Sequence, residues 1–189
     1  MLVHSAAGSV GLLLVQWLKH LGAQVIGTTS NDAKAATARA AGADAVINYS
    51  RNYEFLDDLK SITDGRGVDL AFHGVGAATL ESTVKGLARG GTAVSIGSAS
   101  GPAPAIRPEQ LLSQCARVAA GSVFSYTADP PELHRRAAEV IEGIRAGWLR
   151  IDQGTAYPLD RAAEAHRDLE GRGTQGKLYL EPEASARRL

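Results

Sequence analysis

A run of small residues, Gly8-Ser9-Val10-Gly11, lies between a short β-rich stretch, Leu2-Val3-His4, and apolar residues at helical spacing (Val10, Leu13, Leu14, Trp17, Leu18, Leu21). Strand, tight turn and helix in that order form the junction where an open α/β sheet binds dinucleotides. Small side chains let the backbone approach an anion. The N–H groups of the helix's first turn point toward it, and the helix dipole adds favourable potential. The usual spacing is G-x-G-x-x-G; here Ala6 occupies the first glycine position, giving Ala6-x-Gly8-x-x-Gly11. A tight turn without a ligand is the plainer reading of these residues, and the strand–turn–helix setting favours the ligand. Ala7, Gly8, Ser9, Val10 and Gly11 are the expected pyrophosphate cradle.

About twenty residues further on, an NAD-binding sheet usually places Asp or Glu on the ribose hydroxyls. This chain has Gly27-Thr28-Thr29-Ser30 there, with no acid among them. A 2′-phosphate is then not repelled. Thr28 belongs to the expected site, Ser30 can donate a hydrogen bond, and Lys34 can reach back as a point charge. Tyr49 could close over the adenosine side. The plainer roles are a solvated lysine on a helix surface and a core or edge aromatic. The missing acid favours NADP. Two more glycine loops, Gly74-Val75-Gly76 and Gly97-Ser98-Ala99-Ser100-Gly101, end two later strands. On one sheet edge they leave room for a nicotinamide and its ribose, so Val75, Gly76, Gly97, Ser98 and Ser100 join the expected site; ordinary turn glycines are the alternative.

The elements that position these loops follow from hydrophobic spacing and turn residues. Strands are expected at Leu2–His4, Gln24–Thr28, Ala45–Asn48, Val68–Phe72, Thr92–Ile96 and Arg117–Val123. Helices are expected at Ser9–Leu21, from Asn31 or Asp32 to Ala41, at Glu54–Thr63, Ala77–Leu87 and Pro108–Gln114, and at Pro131–Ala146. Alternation of this kind implies a parallel sheet with right-handed crossovers. The expected fold is α/β: a doubly wound, parallel, six-stranded Rossmann sheet over residues 1–150. From 151 to 189 the alternation stops, with Ala156–Leu159 and Lys177–Leu180 extended and Asp160–Glu170 helical.

Composition narrows the function. Twenty basic residues balance twenty acidic ones among 189 residues, which gives no electrostatic case for nucleic acid or an anionic membrane. No apolar run reaches the length of a membrane span, and no secretory leader is evident, so the cytoplasm is the default location. Cys115 is the only cysteine. That excludes an internal disulfide and a cysteine-rich zinc site; Cys115 itself is expected to be a small buried hydrophobe. The five histidines show no H-E-x-x-H spacing, and His134 and His166 are expected at the surface. No Tyr-x-x-x-Lys pair, G-x-S-x-G elbow or Walker lysine is present, so no general acid or base can be assigned.

Val3-His4-Ser5-Ala6-Ala7-Gly8-Ser9-Val10-Gly11 closely resembles the A-A-G-G-V-G loop of the zinc-independent quinone oxidoreductases of the medium-chain dehydrogenase/reductase superfamily. Ala40-Ala41-Gly42-Ala43-Asp44 with Val46-Ile47-Asn48-Tyr49 is similar to that family's A-G-A-D-x-V-I-N-Y, and Gly65-Arg66-Gly67-Val68-Asp69 to its G-x-G-V-D. Val94 to Gly101 resembles V-S-F-G-N-A-S-G, and Tyr157-Pro158-Leu159, Ala165 to Glu170 and Gly176-Lys177-Leu178 resemble its C-terminal segment. Ser9, Ser98 and His73 depart from the family's glycine, asparagine and aspartate.

The resemblance implies NADPH-dependent hydride transfer to a quinone or conjugated carbonyl. It implies adenosine-phosphate contacts from Ser30, Lys34, Tyr49 and Arg172. It places Val75-Gly76, Gly97 to Gly101 and Ser122 to Phe124, including Val123 and Phe124, on the nicotinamide side. It also implies a homodimer. Family members carry an N-terminal catalytic domain before the strand that opens this chain. The expectation is therefore a cofactor-binding domain cut from a longer protein, whose segment 151–189 crosses back toward the catalytic domain. An enoyl reductase of a polyketide synthase, and a nucleotide-binding module without turnover, are the alternatives.

Overall fold

The computed structural model describes residues 1–49, 54–151, 154–171 and 177–182. Six strands form one parallel sheet: β1 (Leu2–Val3), β2 (Ile26–Thr29), β3 (Ala45–Asn48), β4 (Val68–His73), β5 (Leu87–Ser95) and β6 (Arg117–Ala120). Their spatial order is β3-β2-β1-β4-β5-β6. The order reverses between β1 and β4, and the loops after those two strands diverge to opposite faces. That divergence opens the crevice in which doubly wound sheets hold ligands.

β1 is only two residues long, yet it organises both faces of the sheet. Successive side chains point to opposite faces. Leu2 packs with Ile26, Ile47, Phe55, Leu59 and Leu87, whereas Val3 packs with Ala6, Val15, Leu18, Val25 and Ala38. Leu2 and Val3 are completely buried, and burying such a side chain stabilises the fold by about 1.5–3 kcal/mol. On Val3's face lie α1 (Ser9–His20), which buries Gly11, Val15 and Leu18, and α2 (Asp32–Ala40), which buries Ala35 and Ala38. α1 stops where Gly22 takes a left-handed φ of 77°, a conformation glycine adopts without steric cost. Asn31 caps α2 by accepting a hydrogen bond from the Lys34 N–H at 2.8 Å, as expected of an N-cap asparagine.

The remaining helices are α3 (Leu56–Ile62), α4 (Leu80–Lys85), α5 (Glu109–Leu112), α6 (Val123–Tyr126), α7 (Pro130–Arg145) and α8 (Ala162–Glu170). Around α8, β7 (Thr155–Pro158) and β8 (Leu178–Glu181) pair in parallel with each other and not with the six-stranded sheet.

Three local expectations are corrected. The helix expected over Ala77–Leu87 is reduced to α4. Ala77 and Ala78 are held in a turn, their N–H groups donating to the Gly101 carbonyl and the Ser100 hydroxyl. At the other end Leu87 is drawn into β5 opposite Val68, with a bulge between Val68 and Leu70. The sixth strand stops at Ala120 rather than Val123, because the chain folds into the single turn of α6, whose Tyr126 ring packs against Gly121. Cys115 is exposed, not buried. It takes a left-handed φ of 50° in the turn between α5 and β6, which places its side chain outside the core.

Candidate cofactor site

The loop after β1 is set by contacts that exclude side chains. A Cβ on Gly11 would lie 2.2 Å from the Ser5 carbonyl oxygen and 2.8 Å from the Ala6 Cα. Glycine there brings α1 against the strand, the part played by the third glycine of a dinucleotide loop. A Cβ on Gly8 would come within 3.2 Å of the same Ser5 oxygen. Ala6, at the first glycine position, is completely buried; Gly27 of β2 makes the room, since a Cβ there would meet the Ala6 methyl at 2.7 Å. Ser5 closes the turn with a φ of 52° and accepts from the Gly8 N–H at 2.8 Å. Gly8 caps α1 without a side-chain cap, and the first turn carries no acid. First-turn N–H groups lack intrahelical acceptors, so this end of α1 suits an anion. Ala7 is buried behind the loop, while Ser9 and Val10 face outward.

Beneath the loop lies a buried polar network that sequence reasoning missed. His4 Nδ1 is 3.0 Å from Thr28 Oγ1, and His4 Nε2 is 2.9 Å from Thr83 Oγ1. Thr83 donates its own proton to the Thr79 carbonyl at 2.7 Å. The Thr83 oxygen can therefore only accept from His4, so His4 carries its proton on Nε2 and accepts from Thr28 on Nδ1. Burial, followed by the nearby His73, pushes the His4 pKa down to about 3. His73, at the end of β4, bonds Thr79 Oγ1 through Nε2 at 2.8 Å, and its Nδ1 has no hydrogen-bond partner; burial lowers its pKa too. The two rings meet edge-on at 5.4 Å. This network ties the ends of β1, β2 and β4 to α4, with both imidazoles neutral. A histidine followed by small residues, with threonines four apart (Thr79, Thr83), was the only signal available in the sequence.

The network changes the standing of one expected residue. Thr28 is 0% exposed and its hydroxyl is committed to His4, so it supports the loop from within. Tyr49 is 8% exposed and packs in the cluster of Leu2, Ile26, Ile47 and Phe55, so its ring is anchored in the core at the end of β3. Ser30 is exposed at the end of β2, and Lys34 is partly buried on α2. Asp32 opens α2 close by, its carboxylate accepting from the Asn48 amide at 2.8 Å. That acid stands two residues beyond Ser30, in the first turn of α2.

On the other side of the switch point, Val75 and Gly76 are buried while Gly97 and Ser98 are exposed. Val123 and Phe124 lie on α6, 65% and 83% exposed, beyond the edge strand. Arg172 lies outside the described residues. His134 and His166 are exposed. Among the described residues no three histidine, cysteine or carboxylate side chains are grouped to hold a metal ion, and no helix is long and apolar enough to cross a membrane.

A six-stranded sheet in this order, with a glycine-lined loop feeding a helix at the switch point, defines an α/β Rossmann fold. The chain belongs to the zinc-binding dehydrogenase family, whose sequence pattern matches residues 9–139. It is 35% identical over 185 residues to the 2-haloacrylate reductase of a Burkholderia species, covering 97% of this chain and 55% of that protein. An Escherichia coli quinone oxidoreductase solved in complex with NADPH superimposes with a TM-score of 0.88 at 38% identity, over 96% of this chain and 56% of that one. A mycobacterial protein solved with NADPH gives 0.89 at 39% identity, over 96% and 57%. The chain thus spans about half the length of the relatives it matches.

Proposed function

We propose that this chain is the cofactor-binding part of an NADPH-dependent quinone oxidoreductase. The observation that carries the reading is the loop after β1. Gly8 and Gly11 let the turn close and α1 pack tightly on β1, and the first turn of that helix carries neither an acid nor a side-chain cap. Those residues fit a pyrophosphate. Ala7 and Ser9 to Gly11 would hold it, Ser30 and Lys34 would meet the adenosine 2′-phosphate, and the loops after β4 and β5 would frame the nicotinamide half. The two relatives solved with NADPH support the choice of cofactor. When bound, NADPH supplies the hydride that reduces a quinone or conjugated carbonyl. The protein's part is to orient the dinucleotide and to keep water from one of its faces. The proton for a reduced quinone comes from solvent.

The test is a fluorescence titration with NADPH beside steady-state NADPH oxidation in the presence of a quinone. Saturable binding supports the site, and its absence overturns the reading. Binding with no oxidation identifies a module that needs a further substrate-cleft wall, a reading favoured by the half-length match to the relatives. Lys34→Ala is expected to weaken NADPH about tenfold and NADH less than twofold, because loss of an ion pair to phosphate costs about 1–2 kcal/mol. Equal losses for the two cofactors would show that Lys34 does not meet the 2′-phosphate.

Residues 1–150 form the dinucleotide-binding unit in this reading, and the β7–α8–β8 segment serves contacts outside it. Support comes from the separate pairing of β7 with β8 and from exposed Ile151, Leu159 and Leu169. A homodimer is part of the proposal as well. β6 stands at the sheet edge with all four residues exposed, and an open edge strand is a ready pairing surface. Light scattering at high protein concentration is expected to give twice the monomer mass; a single monomeric species would remove the dimer from the proposal.

A further inference from the structure

The structure assigns Ser100 the role of a positioning residue: it clamps the loop after β5 onto the loop after β4 and so fixes the nicotinamide half of the site. This deepens the proposed function and rests on it.

Ser100 joins the two loops three times. Its N–H donates to the Val75 carbonyl at 2.6 Å, and its hydroxyl donates to the same oxygen at 2.8 Å. The hydroxyl oxygen in turn accepts from the Ala78 N–H at 3.0 Å. The proton of Ser100 Oγ is therefore committed to Val75, and one of its lone pairs to Ala78. Flanking backbone bonds continue the seam, from Ala99 N–H to the Gly74 carbonyl and from Ala77 N–H to the Gly101 carbonyl, each at 3.2 Å. The seam is tight. Gly76, at a φ of 94°, has no room for a Cβ, which would lie 2.2 Å from the Gly101 oxygen and 2.9 Å from the Ser98 Cα.

Topology gives the seam its place. The pyrophosphate loop follows β1, and the adenosine half extends toward β2 and β3. The opposite half of a dinucleotide must then cross the ends of β4 and β5, where these loops stand. Of the seam's bonds, only those of the Ser100 hydroxyl depend on a side chain, so a side-chain substitution can loosen the frame while leaving the sheet intact. Ser100 thus acts through Val75 and Ala78 on the shape of the pocket, rather than through contact with the cofactor as its sequence position suggests.

The test compares NADPH with 2′-phospho-ADP-ribose, which is NADPH without its nicotinamide, by titration calorimetry on the full chain. Ser100→Ala is expected to weaken NADPH about tenfold and 2′-phospho-ADP-ribose by less than twofold, with Ser100→Thr restoring NADPH by returning the hydroxyl. Equal loss of both ligands, which a merely structural role would produce, overturns the inference, and so does loss of neither. Amide hydrogen exchange on the unsubstituted protein supplies a second measurement that does not depend on a variant folding. NADPH is expected to raise protection at Ala78 and Ser100 where 2′-phospho-ADP-ribose does not; equal protection by both counts against the clamp. Failure of the unsubstituted chain to bind either ligand overturns the proposed function itself, and the inference with it.

Discussion

Gly11→Ala is expected to destabilise the fold by about 3 kcal/mol and to abolish measurable dinucleotide binding. The added methyl would sit 2.2 Å from the Ser5 carbonyl oxygen and 2.8 Å from the Ala6 Cα. Both are backbone atoms of the turn itself, so no side chain can swing away. Either α1 lifts from β1 or the turn unwinds, and each outcome moves the helix N-terminus away from its anion. Overpacking of this kind typically costs 1–3 kcal/mol or more. Gly8→Ala is the informative comparison. Its Cβ meets only the Ser5 oxygen, at 3.2 Å, so a shift of a few tenths of an ångström accommodates it. Melting temperatures with NADPH titrations should rank wild type, Gly8→Ala and Gly11→Ala in that order. A Gly11→Ala protein that melts and binds like wild type would show that the helix does not pack as described.

The second large effect is in pH. His4 is held neutral by burial, its pKa near 3 against an ordinary value of 6.5. Well above pH 6.5 neither folded nor unfolded chain carries the proton, and the stability associated with this group is fully present. As pH falls below 6.5 the unfolded chain takes up a proton that the folded chain refuses. Stability is then lost at about 1.4 kcal/mol per pH unit, for a total of about 5 kcal/mol by pH 3. His73, lowered by burial as well, steepens the loss.

Carboxylates contribute later in the titration. Asp44 is held below its ordinary value by hydrogen bonds from Lys19 and from the Val25 N–H, so its stabilisation fades only as pH drops through the ordinary carboxylate range. Urea unfolding between pH 7.5 and 5 therefore avoids the carboxylates; the Met1 amino group, lowered from its ordinary value by burial, adds to the loss in the same direction. A flat stability over that window would contradict the buried neutral pair. Nitrogen-15 spectra should place the His4 proton on Nε2, the tautomer required by Thr83.

The pattern of residues carried much of the fold, because periodicity and turn residues are local properties. Val15 and Leu18 on one helix face, Gly22 as its stop and Asn31 as the next start all read directly from neighbouring residues. The failures were at boundaries governed by distant partners. Nothing within Ala77-Ala78 reveals that their N–H groups are taken by Gly101 and Ser100, more than twenty residues away. Nor does the sequence near Val123 show that β6 has already ended. Two motifs read for family likeness turn out to be structural. Asp44 joins Lys19 to the Val25 N–H at the start of β2, and Gly67 passes so close to Gly86 and Leu87 that a Cβ would meet backbone at 2.6 Å.

The sequence by itself determined a doubly wound parallel sheet and the loop at its first turn, since glycine spacing and apolar period are written along the chain. Only the tertiary structure decided the side-chain roles. Thr28, plausible as a cofactor contact by position, turns its hydroxyl inward to His4, while Ser100 bonds across two loops. The direction a side chain faces depends on which strand lies beside it, and that neighbour is chosen by packing across the whole sheet rather than by adjacent residues.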